Sequence, residues 1–408
     1  MDDRPRNLKT LLAEAKDTSE LMVDLAYAAV YFDDPDMADA VEDLEEDMSE
    51  LVRDMRGLAM LSVRSVREVD SMASVLRVVS AIERIANDAV DISRIVTRRL
   101  GIPTALVADL ATAAEVSHRL AVREGSHLAR RPLRDMELPV VVGMRVVAVQ
   151  RGRRWITDVD GDTIVEAGDV LFMRGEPTGI VRLRELAAAP RWEPPAVADP
   201  TVITDLDRAV DTLVEMKNLS ETAVGLAYSC LVLRDTSLAR EVKALEGRLD
   251  EMNAALQTWV LRAASDDIDP SSLRGLLHLA EAAEDLGDQA YEMVSDVLEE
   301  IDLHPVVAMA LGDADDVVVT MPVGSGSEAD GEALGVLGLS GDPGFLVLAI
   351  QRGTTYLYNP RKYVVLHAGD EVIASGPEEG QERLAARFGF HLLEDEETGV
   401  DELVPLSD

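Results

Sequence analysis

The sequence has a single cysteine, Cys230, among its 408 residues. One thiol excludes a disulfide framework and a metal centre built from several cysteines, and it is typical of a reducing compartment. No apolar run approaches the roughly 18 residues that a membrane-spanning helix needs. The N-terminal segment also lacks the apolar core of a signal peptide. We therefore expect a cytoplasmic protein without direct membrane insertion.

Aromatic and basic residues are scarce as well. Aromatic residues make up 4% of the chain, so aliphatic side chains must form its cores. The 39 basic residues include only five lysines and face 77 acidic residues, for a net charge of −38. So negative a chain repels polyanions, which argues against nucleic acid as a partner. Few lysines and many acids together resemble the composition of haloarchaeal proteins.

The sequence also lacks the motifs of several enzyme classes. It contains no Walker loop, no Gly-x-Ser-x-Gly turn and no Gly-x-Gly-x-x-Gly segment after a predicted strand. Its six histidines are scattered and form no paired metal-binding motif. We therefore expect a protein that is not an enzyme. Cys230 lies in an apolar helical run and is expected to be buried.

A repeat spans almost the whole chain. The stretch GMRVVAVQRG begins at Gly143 and GFLVLAIQRG begins at Gly344, and the same offset aligns residues 8–190 with the second half without a gap. A repeat of this length indicates a tandem duplication of one unit of about 200 residues. The two units are called the first and the second copy below.

Each copy begins with a helical half and ends with a mixed half. Apolar residues in the first part recur at alternating steps of four and three, which predicts three long helices packed as a bundle. The second part has short apolar strands separated by Gly and Asp turns and a closing helix, which predicts a small α+β domain. The predicted segments are bundle 1–105, α+β domain 114–190, Pro-rich linker 191–202, bundle 203–304, α+β domain 315–392 and a frayed acidic tail 393–408.

The mixed halves resemble the TrkA-C domain, also called RCK-C. The resemblance rests on the order of apolar strand, Arg-Gly turn, strand, Ala-Gly-Asp turn and strand in VVAVQRGRRWITDVDGDTIVEAGDVLFMRG and LVLAIQRGTTYLYNPRKYVVLHAGDEVIASG. The helical halves are similar to PhoU, notably in AIERIANDAVDI and AAEDLGDQAYEM. The implied architecture is multidomain, with two three-helix PhoU-like bundles alternating with two small α+β TrkA-C domains.

The resemblance implies a regulatory function. TrkA-C domains sense small ligands, in several cases cyclic di-adenosine monophosphate, and act with potassium channels and other cation transporters. The implied partner is a membrane cation transporter or channel subunit, which would make the protein peripheral to the membrane. The implied ligand is cyclic di-adenosine monophosphate or another nucleotide. PhoU regulates phosphate uptake and can hold metal clusters, which leaves a metal-binding phosphate regulator as the alternative; a structural adaptor without any ligand is a third option.

Candidate ligand-binding residues lie at the hairpins of the α+β domains. A cation beside a glycine turn suits phosphate or carboxylate, which singles out the Gln-Arg pairs of the two copies. The resemblance adds an Asn-Pro step, which the first copy replaces by Asp158-Val159. The alternative is architectural, with each arginine paired to the aspartate of the Ala-Gly-Asp turn. The candidates are Gln150, Arg151, Gln351, Arg352, Asn359 and Pro360.

Candidate metal ligands lie on the helices of the second bundle. Carboxylates four residues apart share one helix face and can bind one divalent cation. Such pairs are Glu246 with Asp250 and Glu284 with Asp288. At the aligned positions, the first copy has Ser49 and Asn87 in place of the two aspartates. The alternative is a solvated acidic helix face.

The duplication also bears on assembly. TrkA-C domains usually pair across two chains, and here both partners lie in one chain. We expect an internal pseudo-dimer or a homodimer with four such domains.

Overall fold

A computed structural model describes most of the chain. The described residues are 7–65, 68–103, 106, 110, 116–152, 154–157, 159–175, 177–191, 204–264, 270–312, 314, 316–353, 355–358, 360–394 and 401–406. The chain forms two compact units, and each unit takes one segment from each copy. The helical unit contains Met1–Ser117 and Glu193–Ala314, and the sheet unit contains His118–Trp192 and Asp315–Asp408.

Each copy begins with three long helices and continues with a strand-rich segment that includes short helices. The helices are α1 (Leu8–Phe32), α2 (Pro35–Ser62), α3 (Val69–Thr97), α4 (Leu138–Val142), α5 (Gly179–Leu186), α6 (Asp205–Leu233), α7 (Thr236–Ala263), α8 (Pro270–Leu298), α9 (Pro305–Leu311), α10 (Leu334–Leu337) and α11 (Gln381–Phe388). The strands are β1 (Val116–Ala121), β2 (Arg131–Pro132), β3 (Met144–Arg151), β4 (Arg154–Ile156), β5 (Ile164–Val165), β6 (Val170–Gly175), β7 (Asp316–Pro322), β8 (Leu346–Arg352), β9 (Thr355–Tyr358), β10 (Glu371–Pro377), β11 (Phe390–Glu394) and β12 (Asp401–Pro405).

Side-chain caps mark the starts of two of the long helices. Asp34 caps α2 by accepting a hydrogen bond from the Met37 amide, and Pro35 occupies the first helical position. Thr204 and Asp207 form a reciprocal capping box at the start of α6. Cys230 is fully buried, as predicted. The two predicted three-helix bundles are therefore present, one in each copy.

The two bundles pack against each other within the helical unit, with α3 against α8. Two of the five lysines contribute a reciprocal contact between α1 and α6. The Lys16 ammonium lies 5.7 Å from the ring centre of Tyr228, and the Lys217 ammonium lies 5.2 Å from that of Tyr27. Each lysine also forms an ion pair with the glutamate four residues further along, at 2.9 Å and 2.8 Å. The duplicated sequence thus uses the same lysine twice to join the two bundles.

Each copy also contributes a four-stranded sheet to the sheet unit. The strand order is β1-β6-β3-β4 in the first copy and β7-β10-β8-β9 in the second. The pairing of the third strand with its neighbour shifts register at Val147 in the first copy and at Leu348 in the second, so both sheets carry the same bulge. A bulge sharpens the local twist of a strand. The duplicated hairpin therefore leaves both sheets with the same bend.

The two sheet domains meet at a pair of equivalent glycines. Gly143 has φ +62°, and a side chain there would collide with the Ser340 carbonyl oxygen. Gly344 has φ +92°, and its side chain would lie 2.6 Å from the Pro139 carbonyl oxygen. Because each glycine faces the backbone of the other copy, both are needed for the close approach. Within this unit the two copies pair inside one chain.

The C-terminal segment differs from the prediction of a frayed tail. Strand β12 pairs antiparallel with β11, and the Leu406 amide donates to the Gly389 carbonyl oxygen. Leu403 packs against the core of the second sheet domain. The prediction was wrong because it weighed the acidic composition and overlooked the apolar residues of the DELVP segment. Residues 395–400 lie outside the described part of the chain.

No helix in the described part of the chain combines the length and apolar composition that crossing a bilayer requires.

The glycine contact between the sheet domains predicts that alanine destabilises the protein more at Gly143 than at Gly152. Gly143→Ala should lower the free energy of unfolding by about 1–2 kcal/mol for the left-handed backbone and by about a further 1–3 kcal/mol for the collision. Gly152 is the matched control, because its φ is +66° and no atom lies within 4 Å of its added methyl group. Urea denaturation of both variants measures the difference. Equal destabilisation would contradict a close contact at Gly143.

Candidate functional site

The arginine of each Gln-Arg-Gly turn forms hydrogen bonds with the buried aspartate of the Ala-Gly-Asp turn. Arg151 ends β3, and its Nε and Nη2 donate to the two carboxylate oxygens of Asp169 at 2.9 Å and 2.8 Å. Arg352 ends β8 and donates to Asp370 in the same way at 2.8 Å and 2.6 Å. Each Nη2 also donates at 2.8 Å to a backbone carbonyl oxygen thirteen residues further along. The planar guanidinium is suited to this two-pronged contact.

These contacts support the architectural interpretation of the two arginines. Asp169 and Asp370 are buried, and a buried carboxylate needs a charged or hydrogen-bonding partner. The sequence places both partners in each copy, since the Ala-Gly-Asp turn follows the Gln-Arg-Gly turn at the same spacing. The guanidinium groups therefore hold the turns together.

Hydrogen bonding determines the ionisation of both aspartates. Burial acts to raise the pKa of Asp169, but the hydrogen bonds from Arg151 and from the Glu166 amide outweigh it, and the net pKa is lowered. The pKa of Asp370 is lowered by the same balance, with bonds from Arg352 and the His367 amide opposing burial. Both carboxylates are therefore held in the charged form.

The second sheet domain adds an aromatic face next to its turn. The rings of Tyr356 and Tyr358 stack at 5.5 Å on the edge strand β9. The Tyr356 hydroxyl donates to Gln351 Oε1 at 3.0 Å, which orients the predicted glutamine. Pro360 is half-buried just beyond the strand, and Asn359 lies outside the described residues. Gln351 thus lies opposite Tyr356 near the start of the edge strand, and Pro360 follows the end of the strand.

The first sheet domain is built differently at the aligned positions. Trp155 replaces Tyr356, and its ring lies 4.7 Å from that of Phe172, which is buried. Gln150 is half-buried. The aligned partner of Tyr358 is Thr157, so the stacked pair is confined to the second copy. Of the two domains, only the second therefore offers the tyrosine pair.

Three of the four predicted metal ligands converge in the second bundle. Carboxylate oxygens of Glu246 and Asp250 on α7 and of Asp288 on α8 all lie within 4.8 Å of one another. A side chain at Gly287 would collide with the end of the Leu249 side chain on α7, so the glycine allows α7 and α8 to pack closely beside these residues. Three carboxylates at this separation form an oxygen-only donor set that suits a hard divalent cation.

The fourth predicted ligand, Glu284, adjoins this triad. Its pKa is raised to about 7, first by burial, then by a hydrogen bond with Asp250 and by the charge of Asp288. Burial and neighbouring acids also raise the pKa values of Glu246 and Asp288. A cation shared by these carboxylates would stabilise their charged forms and would therefore lower their pKa values.

In the first bundle the protein itself supplies hydrogen-bond partners to the two aligned glutamates, and one of these partners is an arginine. Arg56 Nη2 donates to Glu83 at 2.6 Å, and the Ser49 hydroxyl donates to Glu45 at 3.2 Å. The residue aligned with Arg56 in the second copy is Gln257, which carries no charge. The arginine thus occupies the electrostatic role that a cation could take in the second copy.

Sequence reasoning missed two members of this region. Arg56 was overlooked because its partner Glu83 lies 27 residues away on another helix. Asp285 was overlooked although it lies four residues after Glu281, and it contributes to the raised pKa values of both Glu284 and Asp88. A comparison of the two copies at positions 56 and 257 is the signal that could have revealed the arginine.

Comparisons with protein-family models give two matches, each occurring twice. The model of the TrkA-C domain matches residues 118–188 and 318–389. The model of the PhoU domain matches residues 12–96 and 213–297. A comparison with curated proteins gives no significant match.

Several solved structures are similar to this chain at low identity. The crystal structure of PhoU from Pseudomonas aeruginosa is 13% identical, with a TM-score of 0.39, and the match covers 71% of this chain and 93% of that one. The GsuK channel bound to NAD is 15% identical, with a TM-score of 0.18 and coverage of 78% and 65%. The GsuK RCK domain is 14% identical, with a TM-score of 0.18 and coverage of 77% and 78%.

The pairing of Arg352 with Asp370 predicts a pH-dependent loss of stability. Arg352→Met leaves a buried acceptor without its donor, which should cost about 1–3 kcal/mol at neutral pH. Because the pKa of Asp370 is lowered in the folded protein, the stabilisation is fully present above the ordinary aspartate pKa of about 3.9 and is lost as pH falls through the folded value. Urea denaturation from pH 7 down to 3 should show the gap between wild type and variant closing in acid. Arg361→Met, at an exposed arginine of the same domain, is the control, and an equal loss there would contradict the assignment.

The acidic triad predicts that a substitution in the second copy, but not the aligned one in the first, changes the amount of bound metal. Glu246→Gln should lower the metal content of the purified protein, because it removes one of three converging oxygens. Glu45→Gln, the aligned change in the first copy, should leave the metal content unchanged. Elemental analysis after dialysis against Mg²⁺, Ca²⁺ or Mn²⁺ measures both. A metal content unaffected by Glu246→Gln would mean that the triad is a solvated acidic face.

Proposed function

This chain alternates two PhoU domains with two TrkA-C domains, and we propose that it is a cytosolic regulator of cation transport, with potassium as the first candidate ion. The proposal rests on the regulatory nature of both domain families. A ligand would act through the paired TrkA-C domains. The PhoU domains would transmit the resulting change in domain arrangement to a membrane transporter or channel subunit. Binding to this partner would place the protein at the membrane periphery.

The observation that carries this proposal is the pairing of the two TrkA-C domains within one compact unit. Gly143 and Gly344 bring the two backbones together, and Arg145 forms an ion pair with Asp316 of the other copy at 2.5 Å. A ligand can regulate such a pair only if it binds one arrangement of the two domains more tightly than another. This difference in affinity shifts the equilibrium between the two arrangements. The pairing supports a sensor in which one chain supplies both partners.

The second TrkA-C domain is the better candidate for the ligand. It has the stacked Tyr356 and Tyr358 rings, the oriented Gln351 and the Asn359-Pro360 step, whereas the first copy has Thr157 and Asp158-Val159 at the aligned positions. Aromatic faces suit the bases of cyclic di-adenosine monophosphate or another nucleotide. In this proposal Arg151 and Arg352 keep the hairpins in place, and Gln150 is a remnant of the duplicated site.

A metal-binding regulator of phosphate uptake is the second candidate. It is favoured by the convergence of Glu246, Asp250 and Asp288, together with the adjoining Glu284. In that case a divalent cation in the second PhoU domain would be the functional group, and a nucleotide would have no effect.

A thermal-shift screen in high salt tests the sensor proposal. Cyclic di-adenosine monophosphate and adenine nucleotides are added to the full chain, and a ligand present at about 100 times its Kd should stabilise it by about 2.7 kcal/mol. Asn359→Ala should abolish the shift. Gln150→Ala, which alters the first copy, should leave it intact. Failure of all the nucleotides to raise Tm would exclude the proposed ligand class.

A further inference from the structure

The first TrkA-C domain has a histidine–arginine contact between its first strand and its closing helix. His118 on β1 is 7% exposed, and its Nε2 lies 3.2 Å from Nη1 of Arg184 on α5. A guanidinium group has donors and no acceptor, so Nε2 accepts the hydrogen bond and the histidine is neutral. Arg184 Nε donates to the Pro190 carbonyl oxygen at 2.6 Å. These two bonds hold the guanidinium in place and leave its Nη2 without a partner in the described part of the chain.

A second arginine, Arg123, lies beside Arg184. It follows β1 in a turn that is joined to the closing helix, because the His127 amide donates to the Leu186 carbonyl oxygen at 3.0 Å. Burial first, and then the charge of Arg123, lower the pKa of Arg184. Burial, followed by the charge of Arg184, also lowers the pKa of His118, to about 4. Positive charge is therefore concentrated between β1 and α5.

Acidic side chains do not compensate this charge. Neither Arg123 nor Arg184 forms an ion pair within the part of the chain that the structure describes, although the sequence contains 77 acidic residues. Arg182 on the same helix, in contrast, is paired with Glu185 at 3.0 Å. Two neighbouring cations without a counter-charge repel each other. An anion that binds to both would remove this repulsion.

The aligned surface of the second copy is apolar. The residues aligned with the histidine and the two arginines are Val319, Gly324 and Ala385. Ala385 belongs to the apolar core of that domain, and Val319 packs against the core. A side chain at Gly324 would lie 3.4 Å from the ring of Phe390 on β11. The residue aligned with Phe390 is Ala189, so the first copy lacks this ring and has polar side chains at all three positions.

We propose that Arg123 and Arg184 bind a phosphate dianion, either free or as the end group of a phosphomonoester, and that His118 positions Arg184. Two guanidinium groups supply two positive charges, which match the charge of about −1.5 to −2 on a phosphomonoester at neutral pH. One carboxylate would compensate half of that charge. Hydrogen bonds between arginine and phosphate are also among the strong ones. The site lies outside the second TrkA-C domain and is independent of the nucleotide ligand proposed there.

Isothermal titration calorimetry of the full chain with inorganic phosphate tests this site. Wild type should bind phosphate, and Arg123→Gln should bind it at least about tenfold more weakly, because it removes hydrogen bonds to a charged group. Arg123 is exposed, so this change should leave the fold intact. Arg182→Gln is the matched control, since it removes an arginine of the same domain that already has an acidic partner, and it should bind as wild type does.

Adenosine monophosphate and acetate identify the anion. The comparison uses the part of the binding that Arg123→Gln removes. Tighter binding of adenosine monophosphate than of phosphate supports a phosphomonoester ligand, and the reverse order supports free phosphate. Acetate carries one negative charge and should bind more weakly than either. Acetate that binds as tightly as phosphate would overturn the assignment to a dianion.

Two variants at His118 test its positioning role. His118→Val introduces the residue of the second copy and removes the acceptor for Arg184, so it should weaken phosphate binding. His118→Gln keeps an acceptor oxygen and should restore binding at least in part. Circular dichroism checks the fold of each variant, and unchanged affinity in folded His118→Val would contradict the role of the histidine.

Three results would overturn the site itself. They are the absence of phosphate binding by wild type, unchanged affinity in folded Arg123→Gln, and an equal loss of affinity in Arg182→Gln. Each would leave Arg184 as a structural residue that joins α5 to the backbone of Pro190.

Discussion

Each domain of this chain packs against its own duplicate, and that contact constrains the rest of the structure. Between the sheet domains, the contact requires a residue without a side chain at Gly143 and Gly344. Between the bundles, it requires compensated charge, which Lys16, Lys217 and Arg77 provide at different points. Gly143, Gly344 and these three charged residues all lie where one copy meets the other.

The two copies differ most where charge is concentrated. In the first bundle Arg56 neutralises Glu83, and in the second bundle the aligned acids converge without an arginine. The sheet domains differ less, because both retain the arginine bonded to a buried aspartate. The shared interaction belongs to the fold, since losing it would leave a buried carboxylate without a partner in either copy. In the sheet domains the differences lie beside it, where the second copy has the stacked rings of Tyr356 and Tyr358.

Much of the architecture could be predicted from the sequence, because its signals are local or repeated. The helical seams, the Asp34 cap and the alternation of PhoU and TrkA-C domains are confirmed. Strand β12 was missed because its pairing with β11 depends on apolar residues within an acidic segment. The triad could be anticipated from four-residue spacing, whereas the contact of Arg56 with Glu83 could not. That contact depends on the register between two helices, which no local pattern specifies.

The pairing of duplicates inside one chain has a consequence for how the protein could diverge. In a homodimer, one gene encodes both sides of a symmetric interface, so every substitution appears twice. Here each half is encoded separately, and a substitution appears once. An arginine at position 84 and an aspartate at position 285 therefore coexist at equivalent places. Because both sides of this interface lie in one chain, they need not be the same self-complementary surface. One half could therefore keep a structural role while the other acquired a binding role.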